Sequence, residues 1–201
     1  MALDQGAFSA SRLFDHDPVE TAEEIERCGA DVLAWLGELA VAPDRTLIDI
    51  HLVRSIHRRW FDTTFPIAAG VERTGIVLNR KGTALPVDAL IPAVHNACDN
   101  WEWRFENVTE GLPVDEQIEH VVSEANALAV QIYDAHPFVD GNTRATFHLR
   151  NYALMLGGVD PILRLHDEDA HKSAWMAADP SDHAELDEVV LETLLRQGLD
   201  A

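Results

Sequence analysis

His136-Pro-Phe-Val-Asp-Gly-Asn-Thr-Arg144 gathers a titratable base, a carboxylate, a glycine, an amide and a guanidinium into one short run. Apolar residues at helical spacing fill residues 114–135 and stop immediately before it. A second helical pattern, 141–157, begins inside it and is closed by Gly157-Gly158. The run therefore lies at a helix–loop–helix junction with no strand on either side, which points to an all-α fold. It also has the composition of a loop that handles phosphate at a helix N-terminus.

A helix starting near Gly141 leaves its first backbone N–H groups without intrahelical partners. Those donors and the positive end of the helix dipole make an anion site. Gly141 has no Cβ, so a phosphate can approach the backbone closely. Arg144, in the first turn, offers a planar fork for a diphosphate, and Asn142 offers an amide donor. Asp140 is a hard oxygen ligand suited to Mg²⁺ shared with substrate phosphates, or else a helix N-cap. His136, with an ordinary pKa of about 6.5, suits the removal of a hydroxyl proton near neutral pH. Pro137 stiffens the loop and Phe138 anchors it in the core. Taken singly, a capping Asp, a Gly-Asn turn, a structural His and a surface Arg are all commonplace. The ordered set favours chemistry.

Outward from the motif, helical patterns dominate. They cover 18–40, 43–61, 86–104, 114–135, 141–157, 167–178 and 181–197. The exception is FPIAAGVERTGIVLNRKGTALP, rich in Gly and β-branched residues, with Ile76-Val77-Leu78 ahead of an Asn79-Arg80-Lys81-Gly82 turn. It reads as a β-hairpin. The chain has 201 residues, 47% of them hydrophobic, with no repeat or linker, which suits a single domain over 1–201. His166-Asp-Glu-Asp-Ala-His171 reads as a helix start rather than a metal cluster, because its histidines do not share a helical face. Trp101 and Trp103 read as packing at a helix end, and His51 and His57 as members of their helix.

Two cysteines, Cys28 and Cys98, make no disulfide framework and fit a reducing compartment. No secretory leader and no run near the roughly 20 apolar residues of a membrane span is evident, so a cytoplasmic location is expected. Fifteen basic residues against 35 acidic give a net charge of −20. That field disfavours nucleic-acid and anionic-membrane partners. An anionic cosubstrate then needs a local positive pocket, which Arg144 and the helix N-terminus supply.

The motif resembles the HPFx(D/E)GNxR signature of the Fic/Doc family, and the order of elements resembles it from about residue 43 to 178, with helices 18–40 and 181–197 packed on that core. The resemblance implies a helical fold with one small β-hairpin flap, here about Glu72–Leu85, with Arg73-Thr74-Gly75-Ile76 as its first strand. The flap would register a target segment by strand addition. It further implies a nucleotidyltransferase that moves AMP from ATP to a hydroxyl of a protein or small-molecule target. His136 would be the general base and Asp140 would hold Mg²⁺. Gly141, Asn142 and Thr143 would cradle the phosphates, and Arg144 would stabilise their charge.

Two departures bear on the cosubstrate's pose. AMP-transferring members usually read GNGR with a second Arg three residues later, where this chain has Thr143 and Phe147. The Doc branch also lacks that Arg and transfers phosphate, though it reads Ala-Asn-Lys-Arg where this chain reads Gly-Asn-Thr-Arg. His148 and Asn151 share a helical face with Arg144 and either replace the missing contact or pack. The family's inhibitory (S/T)xxxE(G/N) helix is approached only by Thr193–Gly198, with Gln197 in place of Glu. No self-inhibition of that kind is expected, which leaves room for a separate antitoxin-like chain.

Overall fold

The computed structural model describes residues 18–63, 69–79, 81–83, 85–108 and 112–199. They form seven helices: α1 (Pro18–Ala40), α2 (Ile50–Phe61), α3 (Val87–Val108), α4 (Val114–Ala135), α5 (Asn142–Leu156), α6 (Glu168–Ala177) and α7 (Ala184–Leu199). α4 and α5 make the central pair. α3 and α7 pack on α4, α1 and α2 pack on α5, and α6 packs on α7. α5 is buried on nearly every side, from Ala145 to Leu154, as expected of a helix enclosed by neighbours. Its N-terminus and the C-terminus of α4 meet at the motif. No helix among the described residues is long and apolar enough to cross a membrane.

The helix expected over 43–61 begins only at Ile50. The Asp49 side chain accepts the Leu52 N–H and caps it there. Residues 45–48 run across α3 and α5 instead. Ile48 N–H donates to Glu102 Oε1 (2.9 Å), Arg45 pairs with Glu102 (2.5 Å), and the Tyr152 hydroxyl donates to Thr46 O (2.8 Å). The start expected at 181 moves to Ala184, because Asp179 and Asp182 exchange backbone hydrogen bonds in a tight turn. Trp101 is buried and stacks on Phe105, whereas Trp103 is exposed.

The expected β-hairpin is the main local difference. Among the described residues of about Glu72–Leu85 there is no strand. The chain does turn back: Asn79 N–H donates to Thr83 O and Gly82 N–H to Asn79 O, while Asn79 Oδ1 accepts from Lys81 and Thr83. Beyond that turn the two arms are joined by a side chain. The Arg73 guanidinium donates to Gly75 O (2.7 Å) and, across the turn, to Leu85 O (2.6 Å). That carbonyl accepts from a guanidinium, and no ladder forms among the described residues. Val71, Ile76 and Leu78 stay exposed on the first arm.

Candidate functional site

α4 ends at His136, which takes the left-handed conformation (φ 50°, ψ 61°) and is the one non-glycine with positive φ among the described residues. A residue with a Cβ pays about 1–2 kcal/mol for that conformation, so its surroundings must enforce it. The His136 N–H closes α4 on Ile132 O and Tyr133 O. On the other side, Arg73 Nε donates to His136 O (2.7 Å) and the Arg73 backbone N–H to Pro137 O (2.9 Å). The imidazole lies edge-on to the Tyr133 ring, centroids 6.0 Å apart.

The loop that follows is braced from within and from below. Asn142 Oδ1 accepts the Phe138 N–H and its Nδ2 donates to Phe138 O, each at 2.9 Å. Phe138 is buried and stacks on His57, with centroids 3.8 Å apart. His57 Nδ1 accepts the Gly70 N–H (2.9 Å), so the proton sits on Nε2, which donates to Asp140 O (2.9 Å). Burial pushes the His57 pKa down to about 4, against a smaller opposing pull from Asp140. His57 is therefore a neutral two-ended strut beneath the motif.

Gly141 has φ +77°, and a Cβ there would lie 2.3 and 2.5 Å from the Phe61 ring and 3.0 Å from His57 Nε2. Conformation and space both call for glycine. Asp140 Oδ1 accepts the Gly141 N–H (2.6 Å). α5 then starts at Asn142 with no side-chain cap. The Arg144 guanidinium lies over the Trp60 and Phe61 rings, at 5.7 and 5.9 Å. His136, Asp140, Gly141, Asn142, Thr143 and Arg144 line one solvent-open cleft of about 540 Å³, together with Tyr133. The structure thus brings together every residue singled out in the motif.

The Asn142 side chain differs in role from its sequence reading, and His148 and Asn151 take the second of their two readings. The Asn142 amide is buried and committed at both ends to Phe138, so the side chain offers no donor to the cleft. His148 is buried against Trp60, and burial lowers its pKa to about 4. Asn151 bonds Ile162 N–H and O, both at 3.0 Å, and ties down the loop after α5. Neither His148 nor Asn151 lines the cleft; both pack. Gln197, nearest to the inhibitory pattern, holds Leu163 N–H and Pro161 O.

Phe147 faces a second, mostly apolar recess that adjoins the cleft through Tyr133 and Thr143 and continues to His171, Lys172, Trp175 and Met176. Behind it Arg150 is fully buried, its Nη1 3.0 Å from His171 Nε2 and 3.3 Å from Asn126 Oδ1. Burial lowers the Arg150 pKa to about 9. It also lowers that of His171 to about 3, with Arg150 adding to the effect. His171 thus serves as an acceptor for Arg150.

Among the described residues, no group of three His, Cys, Asp or Glu side chains is placed to hold a metal by itself. Asp140, half-buried at the cleft with Oδ1 on the Gly141 N–H, fits Mg²⁺ as a single protein ligand beside phosphate oxygens and water. His57, Arg73, Tyr133 and Phe61 are the site residues that sequence reading missed. The partners of His57, Arg73 and Phe61 lie far away in the chain, and only the positive φ demanded by a Gly-Asn helix start hinted at the need for support; Tyr133 lies one helical turn before His136 and had no signal of its own.

No curated protein matches the chain. Among solved structures it is similar to Fic-1 of C. elegans (residues 134–508, E274G), with 18% identity and a TM-score of 0.68, covering 94% of this chain and 54% of that one. It is similar to a Fic domain containing signaling protein of Bacteroides thetaiotaomicron (16% identity, TM-score 0.65, 86% of this chain and 68% of that one). It is also similar to BepC, a VirB-translocated effector of Bartonella tribocorum solved with bound AMPPNP (19% identity, TM-score 0.55, 86% and 85%). At these identities the likeness shows the helical fold, and this chain spans about half the length of the C. elegans chain. The model of the Fic/DOC family matches residues 47–154, which is more than half the chain and includes the whole motif. With a helical Fic fold around a match of that extent, the chain belongs to the Fic/DOC family.

Proposed function

We propose that this chain transfers AMP from ATP to a hydroxyl group of a protein or small-molecule target. The observation that carries the reading is the shared cleft: a histidine base and the uncapped N-terminal turn of α5 line the same space, with Asp140 and Arg144 beside them. In this reading the amides of α5's first turn receive the phosphate chain. Arg144, backed by two aromatic rings, neutralises charge on the phosphates as the bond to the leaving group breaks. His136 takes the proton of the attacking hydroxyl. Mg²⁺, held at Asp140, would add charge neutralisation on the phosphates. The AMPPNP in the BepC structure supports an adenine nucleotide as cosubstrate. The exposed arm with Ile76 and Leu78 supports docking of an extended target segment beside the cleft.

A second reading, transfer of phosphate or another phosphate-bearing group, is favoured by Phe147. Where a second Arg would meet the terminal phosphate of ATP, this chain presents an apolar recess. Incubation with ATP labelled separately on the α- and γ-phosphate distinguishes the two. Transfer of the α label supports AMP transfer, and transfer of the γ label supports the second reading. His136→Ala is expected to abolish either transfer while leaving the fold intact by circular dichroism. Turnover retained in that variant overturns the role of His136.

A further inference from the structure

We propose that Arg73 is a positioning residue for His136, a buried latch that fixes the backbone of the proposed base and ties it to the arm beside the cleft. The inference rests on the reading of His136 given above, but its geometry stands apart from that reading.

Arg73 is 2% exposed and belongs to none of the ion pairs among the described residues. Its guanidinium donates instead to four backbone carbonyls: His136 (2.7 Å), Gly75 (2.7 Å), Leu85 (2.6 Å) and Ala135 (3.3 Å). Burying an arginine without a carboxylate is unfavourable, and desolvation lowers the pKa of this one. Two of the four carbonyls, Ala135 and His136, stand at the C-terminus of α4. That end carries the negative pole of the helix dipole and carbonyls with no intrahelical donor. A cation suits that end of a helix, and Arg73 sits directly on it. The remaining two carbonyls belong to the two arms of the 71–85 segment, so a single planar fork joins α4 to both.

What this arrangement fixes is His136. Its left-handed backbone is the one such conformation at a non-glycine among the described residues. Arg73 grips the carbonyls on either side of that strained Cα, those of Ala135 and His136, and its own N–H holds Pro137 O just beyond. If φ of His136 relaxed to the ordinary helical region, the His136 and Pro137 carbonyls would swing away and the imidazole would leave the cleft. Lysine cannot replace this arginine. Its ammonium is a compact point charge with no planar fork, and it cannot span carbonyls on both α4 and the two arms. The latch also makes the 71–85 arm and His136 move together, so a target segment seated on that arm bears on the base through one side chain.

The test uses the full chain labelled with ¹³C and ¹⁵N at histidine, with the His136 signals assigned through His136→Gln. In Arg73→Gln and Arg73→Lys, the backbone and imidazole resonances of His136 are expected to shift clearly, while those of His51 and His95, both distant in sequence, stay in place. ADP affinity by calorimetry should stay within about twofold, because the α5 cradle is untouched. Where label transfer from ATP is measurable, kcat should fall about 100-fold, the scale of an ångström-sized misplacement, with KM for ATP little changed. Partial recovery of Arg73→Ala by free guanidinium would support the assignment. Unmoved His136 resonances in a folded variant overturn it, as does a loss confined to KM. Should neither variant fold, hydrogen exchange on the unaltered chain decides. The Arg73 amide is expected to exchange as slowly as that of Phe138, and exchange as fast as that of exposed Thr74 overturns the latch. Absence of any label transfer by the unaltered chain refutes the proposed function and leaves the resonance and exchange results to judge Arg73 by themselves.

Discussion

His57→Phe separates the strut beneath the motif from the chemistry above it. The substitution keeps an aromatic ring against Phe138 and Phe61 but removes both nitrogens. The Gly70 N–H and the Asp140 carbonyl lose their partners. Each unsatisfied buried group costs about 1–3 kcal/mol, so a loss of about 2–6 kcal/mol at pH 8 is expected. The pH dependence is the sharper signature. In the unfolded chain His57 titrates near its ordinary value of about 6.5, and in the folded protein burial holds it near about 4. Between those values the unfolded state binds more protons, so stability rises with pH. The contribution is fully present above about pH 6.5 and is lost as pH falls towards 4. The reason is geometric: a proton on Nδ1 would point straight at the Gly70 N–H. Integrated from pH 8 to 5, this one group accounts for about 2 kcal/mol.

Urea unfolding followed by tryptophan fluorescence and circular dichroism at pH 8, 7, 6 and 5 measures the effect directly. The unaltered protein should lose more than 2 kcal/mol across that range, because His148 and His171 are also held neutral by burial and titrate in the same direction. The His57→Phe variant should lose about 2 kcal/mol less than the unaltered protein over the same interval, all other groups cancelling in the comparison. Parallel stability curves for the two proteins would refute the neutral strut and the tautomer assigned to it.

Gly141→Ala should destabilise the protein by about 2–4 kcal/mol, combining a left-handed alanine with a methyl group driven into the Phe61 ring; denaturant midpoints report it, and a change below 0.5 kcal/mol would contradict the close approach. Asn142→Ala strips both backbone partners from Phe138, so the Phe138 amide should lose its protection from hydrogen exchange while a costlier, looser loop lowers stability by about 2–4 kcal/mol. Phe147→Arg would place a guanidinium where the apolar recess adjoins the cleft. Pyrophosphate affinity by calorimetry should then rise about tenfold, equivalent to about 1.4 kcal/mol, and an unchanged affinity would show that residue 147 does not face the phosphates.

The sequence makes some of this legible and hides the rest for physical reasons. α4 was readable to its ends, Val114 and Ala135, because helical periodicity and the motif bound it on both sides. The six cleft-lining residues of the motif were readable because they fall within nine positions, so local spacing alone sets their register. At 43–49 the apolar Leu47 and Ile48 continue the helical period, yet capping by Asp49 and the bond of Ile48 to Glu102 win, and the helix starts late. The Gly-rich, β-branched run at 71–85 reads as a hairpin because the same composition serves any extended arm. The side chain that joins the arms is Arg73, whose other partners at residues 135 and 136 lie more than 60 positions away. The same distance hides His57, which is 83 residues from the carbonyl it holds.

That division has a consequence for how the site tolerates change. In the proposed reading the motif supplies the reacting groups, but the bonds that hold the His136 carbonyl and support Asp140 from beneath come from outside it. Arg73 does the first and His57 the second, from two separate elements that converge on one loop. Substitutions at either residue should therefore disturb the loop that carries His136 and Asp140 while leaving every motif side chain in the sequence, and a chain judged only by its intact motif would be misread. The geometry that turns a short run of residues into a site belongs to long-range contacts, and those contacts decide whether a motif of this kind can act.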